Sequence, residues 1–227
     1  MPERVTIRTV MRGALIGLAL AGLGGCVSFG GKPPPKLLSI ATEAPLTPGR
    51  AQSGPTASAL FVGIPTTPKA IATSRVAVHD GPNAFAYVKK ALWVDIPAHQ
   101  FQRLLSETIA ARAGLLVLDP GQFLAPPGHV LHGELVDFSI EPARHRAIVS
   151  YDASLTGPDG KQVMTRRFSA TAPISKVDAN LVAPAISAAA NEVAAQVADW
   201  VKTQYAQEAQ PPAPSPASAS APAPAPN

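Results

Sequence analysis

The chain has 227 residues, of which 46% are hydrophobic and 15% charged, with 25 prolines and one cysteine. Its net charge is only +4, and no dense Lys/Arg run with interleaved aromatic residues occurs, which argues against a nucleic-acid-binding protein. A single cysteine also excludes an internal disulfide framework.

The first 25 residues have the organisation of a secretory signal peptide. Arg4, Arg8 and Arg12 make the start basic, and the apolar run ALIGLALAGL follows over residues 14–23. This run is too short to cross a bilayer, which needs about 20 residues, but it fits the apolar region of an export signal. We therefore interpret residues 1–25 as a targeting segment and not as part of the fold.

The only cysteine, Cys26, ends the sequence LGGC, which resembles the lipobox of bacterial lipoproteins. In such proteins the thiol carries a diacylglycerol, and the amino group freed by cleavage is acylated as well. Stable attachment to a membrane takes more than one acyl chain, so a triacylated Cys26 would be a sufficient anchor. A buried free cysteine is the alternative, but it does not explain the position. Val27 stands where Asp would favour retention in the inner membrane, so we expect the outer membrane and its periplasmic face.

Two segments of biased composition flank the predicted domain. Residues 26–35 form a Gly- and Pro-rich tether, of which the nine residues after Cys26 reach at most roughly 30 Å. Residues 208–227 are rich in Pro, Ala and Ser and bury too little apolar surface to fold, which predicts a disordered tail. One domain remains, over residues 36–207.

The first half of this domain is predicted to contain short strands and one helix. The strands are KLLSIA (36–41), SALFVG (58–63), SRVAVHD (74–80) and LLVLD (115–119), and NAFAYVKKALWVDI (83–96) is interpreted as a short hairpin. The helix begins at Pro97, which suits a first helical position, and ends at Gly114. Its apolar face has helical spacing and consists of Phe101, Leu104, Leu105, Thr108 and Ile109.

The second half is predicted to contain three strands and a long helix. The strands cover residues 129–140, 144–155 and 161–172, and the turn signal GPDG joins the last two. The helix runs from about residue 180 to 207, with Pro184 tolerated only near its first turn.

The two short loops of this meander predict a strand register. They place Phe138 opposite Ala147 and Val149 opposite Phe168, with apolar residues on one face as pleat alternation requires. The same register aligns Glu134, Tyr151 and Arg166 across the three strands. We therefore predict a cross-strand row of these three side chains, because a carboxylate on a mostly covered face needs a partner.

No motif selects a catalytic, cofactor or metal site. GxSxG, P-loop and dinucleotide motifs do not occur in the exported part of the sequence. His129 and His132 are three residues apart and point to opposite faces of a strand, and no Cys/His/Asp cluster completes a metal site. We therefore expect no enzyme activity, no cofactor and no metal. A local basic group is interpreted as a solvated sheet end with nearby carboxylates rather than a lipid-headgroup site: Arg144, His145, Arg146, Arg166 and Arg167.

The order of these elements resembles the ABC-type transport auxiliary lipoproteins, a PqiC-like family. The segments that carry the resemblance are the lipobox at Cys26, LLSI, ALWVDIPAHQFQRLLSETIAARAG, VLHGELVDF and LVAPAISAAANEVAAQVADWV. The resemblance implies an α/β (α+β) single domain, related to the N-terminal domain of TolB-like proteins, with two main helices packed on a mixed, mostly antiparallel sheet.

The same resemblance implies work beside an MCE-domain protein, a permease and an ATPase that move lipids across the cell envelope. The lipoprotein would dock the periplasmic conduit at the outer membrane without chemistry of its own, and a homo-oligomeric ring is compatible with that role. A scaffold lipoprotein for envelope assembly or the cell wall is the alternative, and a periplasmic hydrolase is the third hypothesis.

Overall fold

The structure is a computed structural model that describes residues 36–49, 52–118 and 128–209. The predicted signal peptide, Cys26, the tether and the Pro/Ala/Ser-rich tail lie outside the described residues, apart from the first positions of the tail. All described residues belong to one compact unit.

The described residues form one sheet of eight strands and two long helices. The strands are β1 (Leu37–Leu38), β2 (Leu60–Val62), β3 (Arg75–His79), β4 (Phe85–Trp93), β5 (Val117–Leu118), β6 (His129–Glu141), β7 (Arg146–Thr156) and β8 (Val163–Pro173), and the helices are α1 (Pro97–Ala113) and α2 (Val182–Glu208). This is the mixed α+β fold that the family resemblance implies.

Strand β6 organises the sheet. Along one of its edges, β2 pairs with its first residues and β3 with its last ones, both in parallel. Its other edge carries β7, which in turn pairs with β8, and both of these long pairings are antiparallel. Beyond β3 lie β4, in an antiparallel pair, and β1, which pairs with β4 in parallel and forms an edge of the sheet. The sheet is therefore mostly antiparallel by length, with short parallel pairings.

Both helices pack on the same face of the sheet and on each other. Helix α1 buries the predicted apolar face and ends at Gly114, whose φ of 69° is left-handed, a conformation that glycine adopts at little cost. Helix α2 has Pro184 in its first turn, as predicted. Trp93 packs 5.6 Å from Phe138, and Trp200 5.5 Å from Phe168, so both tryptophans belong to the core.

The hairpin predicted over residues 83–96 is wrong. This segment is the single strand β4, and the turn lies before it, where the amide of Asp80 donates to the carbonyl of Ala84. The register between β3 and β4 shifts within the segment, and Lys90 adopts a φ of 57°. A β-bulge at the two lysines interrupts the alternation of apolar residues, which the sequence pattern presents as a turn.

The predicted register of the meander is also wrong. Phe138 lies opposite Val149, and Val149 lies opposite Ala170. From Asp137 onward, the partner of each residue is displaced by two positions from the prediction. A short 3-10 turn with a left-handed His145 joins β6 to β7, and the amide of Gly157 donates to the carbonyl of Gln162 between β7 and β8. In addition, a bulge at Val136 shifts the pairing inside β6.

Candidate functional site

The predicted lipid-attachment residue, Cys26, lies outside the described residues. The part of the chain that carries it enters the domain at β1, where Leu37 pairs with Leu92 and Leu38 with Trp93. The amide of Val94 donates to the carbonyl of Leu38 at 2.7 Å, which continues this edge contact. The predicted anchor is therefore joined to the β1 edge of the sheet.

The predicted row of Glu134, Tyr151 and Arg166 does not form. The bulge at Val136 reverses the faces of the preceding residues of β6, so Glu134 points away from the helices and lies opposite Asp152. Tyr151 stays on the helix face, between Leu135 and Phe168. Arg166 lies opposite Ala153.

Tyr151 is an element of the core. It is fully buried, and its ring meets that of Phe101 edge to face at 5.3 Å. Burial raises the pKa of its hydroxyl, which has no hydrogen-bond partner among the described residues. A Cβ at Gly133 would lie 2.6 Å from the Tyr151 ring and 2.2 Å from the carbonyl oxygen of Asp152. Gly133 therefore makes room for the ring.

An ion pair lies on the face of the sheet that the helices do not cover, which we call the open face. The guanidinium of Arg167 donates from Nε and Nη2 to both carboxylate oxygens of Asp152, each at 2.5 Å. The hydrogen bond from Arg167, together with its charge, holds the pKa of Asp152 below its usual value, against the opposing effect of burial. Asp152, in turn, raises the pKa of Arg167, with a further contribution from the charge of Glu134.

A second ion cluster lies at the β6–β7 turn. Arg146 donates to Glu141, and Arg144 donates to the other oxygen of Glu141 at 3.4 Å. Partial burial acts to raise the pKa of Glu141, but the hydrogen bond and charge of Arg146, with the charge of Arg144, outweigh it and hold the pKa below its usual value. These contacts agree with the interpretation of a basic sheet end neutralised by nearby carboxylates.

The histidine, serine and carboxylate that lie together on the open face connect β3 to β6. Nε2 of His79 lies 2.8 Å from Oδ2 of Asp137, and the buried Ser139 hydroxyl donates to Oδ1 of the same carboxylate. Activation of a serine nucleophile needs the imidazole on the serine oxygen and the carboxylate behind the imidazole. Here the carboxylate stands between the two, so the cluster has the geometry of a structural bridge.

The two histidines considered for a metal site lie apart. His129 is buried on the helix side, whereas His132 is exposed and contacts the ring of Phe61. Over the described ranges, no group of three or more His, Cys, Asp or Glu side chains is arranged to hold a metal ion.

The contact between the start of β6 and the end of α2 is one that sequence reasoning missed. Nε2 of His129 lies 2.6 Å from Oε2 of Glu208, and the imidazole packs against the Tyr205 ring at 4.1 Å. Burial, and to a smaller extent the charge of Glu208, raise the pKa of the Tyr205 hydroxyl. The partners are 79 residues apart in sequence, and no local pattern links them.

A basic groove of about 500 Å³ lies between β4 and the loop before α2. Its polar lining includes Tyr87, Lys89, Lys90 and Asp178, and both lysines are exposed. In the part of the chain that the structure describes, no helix is long and apolar enough to span a bilayer.

Comparison with known proteins gives a family and a fold. The family model described as "ABC-type transport auxiliary lipoprotein component" matches residues 40–198. A crystal structure of a Xanthomonas campestris protein of the DUF330 family is similar with a TM-score of 0.64 at 17% identity, over 78% of this chain and all of that one. An uncharacterized protein is similar with a TM-score of 0.58 at 16% identity, over 73% of this chain and 99% of that one. No curated protein matches the sequence significantly.

Proposed function

We propose a function that follows from family membership: this chain belongs to the family of ABC-type transport auxiliary lipoprotein components. In our proposal, the protein is an auxiliary docking component of an MCE/ABC-type lipid transport system. The family match is the observation that carries the proposal, and the fold shared with the DUF330 protein supports it.

In this proposal, acylated Cys26 anchors the protein to a membrane. Export removes residues 1–25, and the cysteine then carries three acyl chains, more than stable anchoring requires. Val27 in the following position favours the outer membrane, with the folded domain on the periplasmic side. The sequence order of basic segment, apolar run and LGGC supports this part of the proposal.

The proposed role is docking and not chemistry. The carboxylates of Asp137, Glu141 and Asp152 are hydrogen-bonded to neighbouring basic side chains. These carboxylates take part in contacts within the domain, which supports a role without chemistry. The partners that we propose are an MCE-domain protein and, through it, the permease and the ATPase of the system, with the lipoprotein itself able to form a homo-oligomeric ring.

A complementation experiment tests the role. Cells that lack the protein should lose transport of labelled lipid between the two membranes, and the wild-type chain should restore it. The variant Cys26→Ser should restore little, whereas the surface variant Lys161→Gln, a matched control, should restore it fully. Full restoration by Cys26→Ser, or normal transport without the protein, would contradict the proposal. Lost envelope integrity with intact lipid transport after removal of residues 210–227 would favour a cell-wall or envelope-assembly scaffold instead.

A further inference from the structure

Two adjacent lysines lie at the irregular point of β4. Between the pairs Arg75–Leu92 and Ala77–Tyr87 the register of β3 and β4 shifts, and Lys90 takes a left-handed φ of 57°. A bulge of this kind leaves its residues unpaired and bends the strand. Lys89 and Lys90 are both exposed at this bend.

A third lysine lies at the same place, where the tether joins the domain. Strand β1 runs parallel to β4, with Leu37 opposite Leu92. Lys36, one residue earlier, therefore lies beside the segment Lys90–Ala91, and it is exposed. Lys36 and the two lysines of the β4 bulge therefore lie at one edge of the sheet.

The loop before α2 adds a fourth lysine. This loop lines the basic groove through Val177, Asp178 and Ala179, opposite Lys89 and Lys90 of β4. The exposed Lys176 directly precedes these loop residues in the sequence. Asp178 is turned toward its own loop, where its Oδ1 accepts from the amide of Asn180 at 2.9 Å.

These four lysines are not neutralised within the domain. Among the described residues, none of Lys36, Lys89, Lys90 and Lys176 forms an ion pair within 4.0 Å, whereas Lys161 reaches Asp159. Apolar side chains flank them: Leu37 is 51% exposed and Val177 is 41% exposed. Exposed apolar residues mixed with lysines are typical of surfaces that lie at a membrane interface.

We propose that this basic edge, formed by Lys36, Lys89, Lys90 and Lys176, rests on anionic lipid headgroups of the bilayer that holds the acylated Cys26. The inference depends on the lipid anchor of the proposed function. The nine residues from Val27 to Pro35 span at most roughly 30 Å, which keeps the edge near the bilayer. Charges act over about 8–10 Å in physiological salt, and a lysine within that distance of an anionic surface is attracted to it.

The consequence is a defined orientation of the domain. The β1–β4 edge faces the membrane, and β8, at the other end of the sheet, faces away from it. A lipid anchor alone fixes the distance of a domain from the membrane, whereas a basic edge beside the anchor also fixes which side faces it.

Lysine labelling of the full lipidated chain tests this orientation. The purified protein is reconstituted into vesicles of phosphatidylethanolamine with phosphatidylglycerol, or with phosphatidylcholine in its place, and treated briefly with an amine-reactive ester before peptide mass analysis. In the anionic vesicles we expect Lys36, Lys89, Lys90 and Lys176 to react about three- to fivefold more slowly, and 1 M salt should remove the difference. Lys161 and Lys202, exposed elsewhere, should react equally in both vesicles.

A pair of double variants sharpens the test. The first double variant, Lys89→Gln/Lys90→Gln, should weaken the protection of Lys36 and Lys176 from labelling. The control double variant, Lys161→Gln/Lys202→Gln, should leave this protection unchanged. Equal labelling of the four lysines in both kinds of vesicle would overturn the proposal. Protection that persists in detergent would also overturn it, because the edge would then be covered by another copy or by a different protein.

The intact mass of the protein separates this inference from the function on which it depends. A mass without acyl chains at Cys26 would contradict the lipid anchor directly. If the mass includes acyl chains but the lysines are labelled equally in both kinds of vesicle, the lipid anchor is supported and the membrane contact of the basic edge is refuted.

Discussion

His129, the first residue of β6, and Glu208, the last residue of α2, are joined by a hydrogen-bonded pair of 2.6 Å. The side chain of His129 is only 5% exposed, and Tyr205 covers it from the preceding turn of the helix. Glu208 lies ten residues beyond position 198, where the family match ends. The last turns of α2 are therefore part of the folded domain and not the beginning of the tail.

The variant Glu208→Ala should lower the free energy of unfolding by about 1–2 kcal/mol, because it leaves a buried ring nitrogen of His129 without its partner. Urea unfolding followed by circular dichroism measures the change. Lys202→Ala, an exposed substitution on the same helix, is the control and should change the stability by less than about 0.5 kcal/mol. An unchanged unfolding midpoint for Glu208→Ala would show that the pair contributes nothing.

Stability should depend on Glu141 in acid. Its pKa is held below the usual value by Arg146 and Arg144, so the unfolded state binds a proton at higher pH than the folded state does. The stabilisation is therefore fully present above the unfolded pKa, near 4.5, and is lost as the pH falls through the folded value. Glu141→Gln should be less stable than the wild type at pH 7, and the difference should shrink below about pH 4. A difference that grows on acidification would contradict the ion cluster; Glu192→Gln, on the exposed side of α2, is the control.

Gly133 should not tolerate a side chain. A Cβ there would approach the Asp152 carbonyl and the Tyr151 ring at distances that real side chains do not reach. Gly133→Ala should cost about 2–4 kcal/mol of stability, since both neighbours lie in the centre of the sheet. At Gly157 the nearest atom to a Cβ is 3.6 Å away, so Gly157→Ala should be nearly neutral. Similar stability for the two variants would contradict the packing of Tyr151 over Gly133.

The hydroxyl of Tyr151 is buried without a hydrogen-bond partner among the described residues. Tyr151→Phe keeps the ring contact with Phe101 and removes the unsatisfied polar group, so it should leave stability unchanged or raise it by about 1 kcal/mol. Differential scanning calorimetry gives the shift in Tm. A clear decrease would mean that the hydroxyl is bonded in the protein in solution.

Most elements of this fold, apart from the bulged strand β4, could be predicted from local patterns, but the strand register could not. Helix α1 follows from apolar spacing, Pro97 and Gly114, because these signals act within a few residues. The row of Glu134, Tyr151 and Arg166 does not form for two reasons: the bulge at Val136 turns Glu134 to the other face, and the shifted β7–β8 pairing places Phe168, and not Arg166, opposite Tyr151. Whether a strand contains a bulge depends on packing against other elements, and a single sequence does not report it.

Contacts between segments that are far apart in sequence could likewise not be predicted from local sequence patterns. His129 and Glu208 meet because the sheet and α2 pack together, and each residue is unremarkable in its own segment. The basic edge is similar: strand pairing places Lys36 beside β4, and the residues that follow Lys176 line the same groove as Lys89 and Lys90. Cys26 is the opposite case, because the predicted lipobox is a linear pattern that can be recognised without knowledge of the fold.

Crosslinking in intact cells tests whether this protein docks a lipid transport system, as we propose. The full chain, tagged after Asn227, is crosslinked, purified under denaturing conditions and analysed by mass spectrometry, and the Cys26→Ser variant is treated in the same way. We expect an MCE-domain protein to be crosslinked to the wild-type chain and to be strongly depleted with Cys26→Ser. Recovery of only cell-wall or envelope-assembly proteins, with no MCE-domain partner, would contradict it.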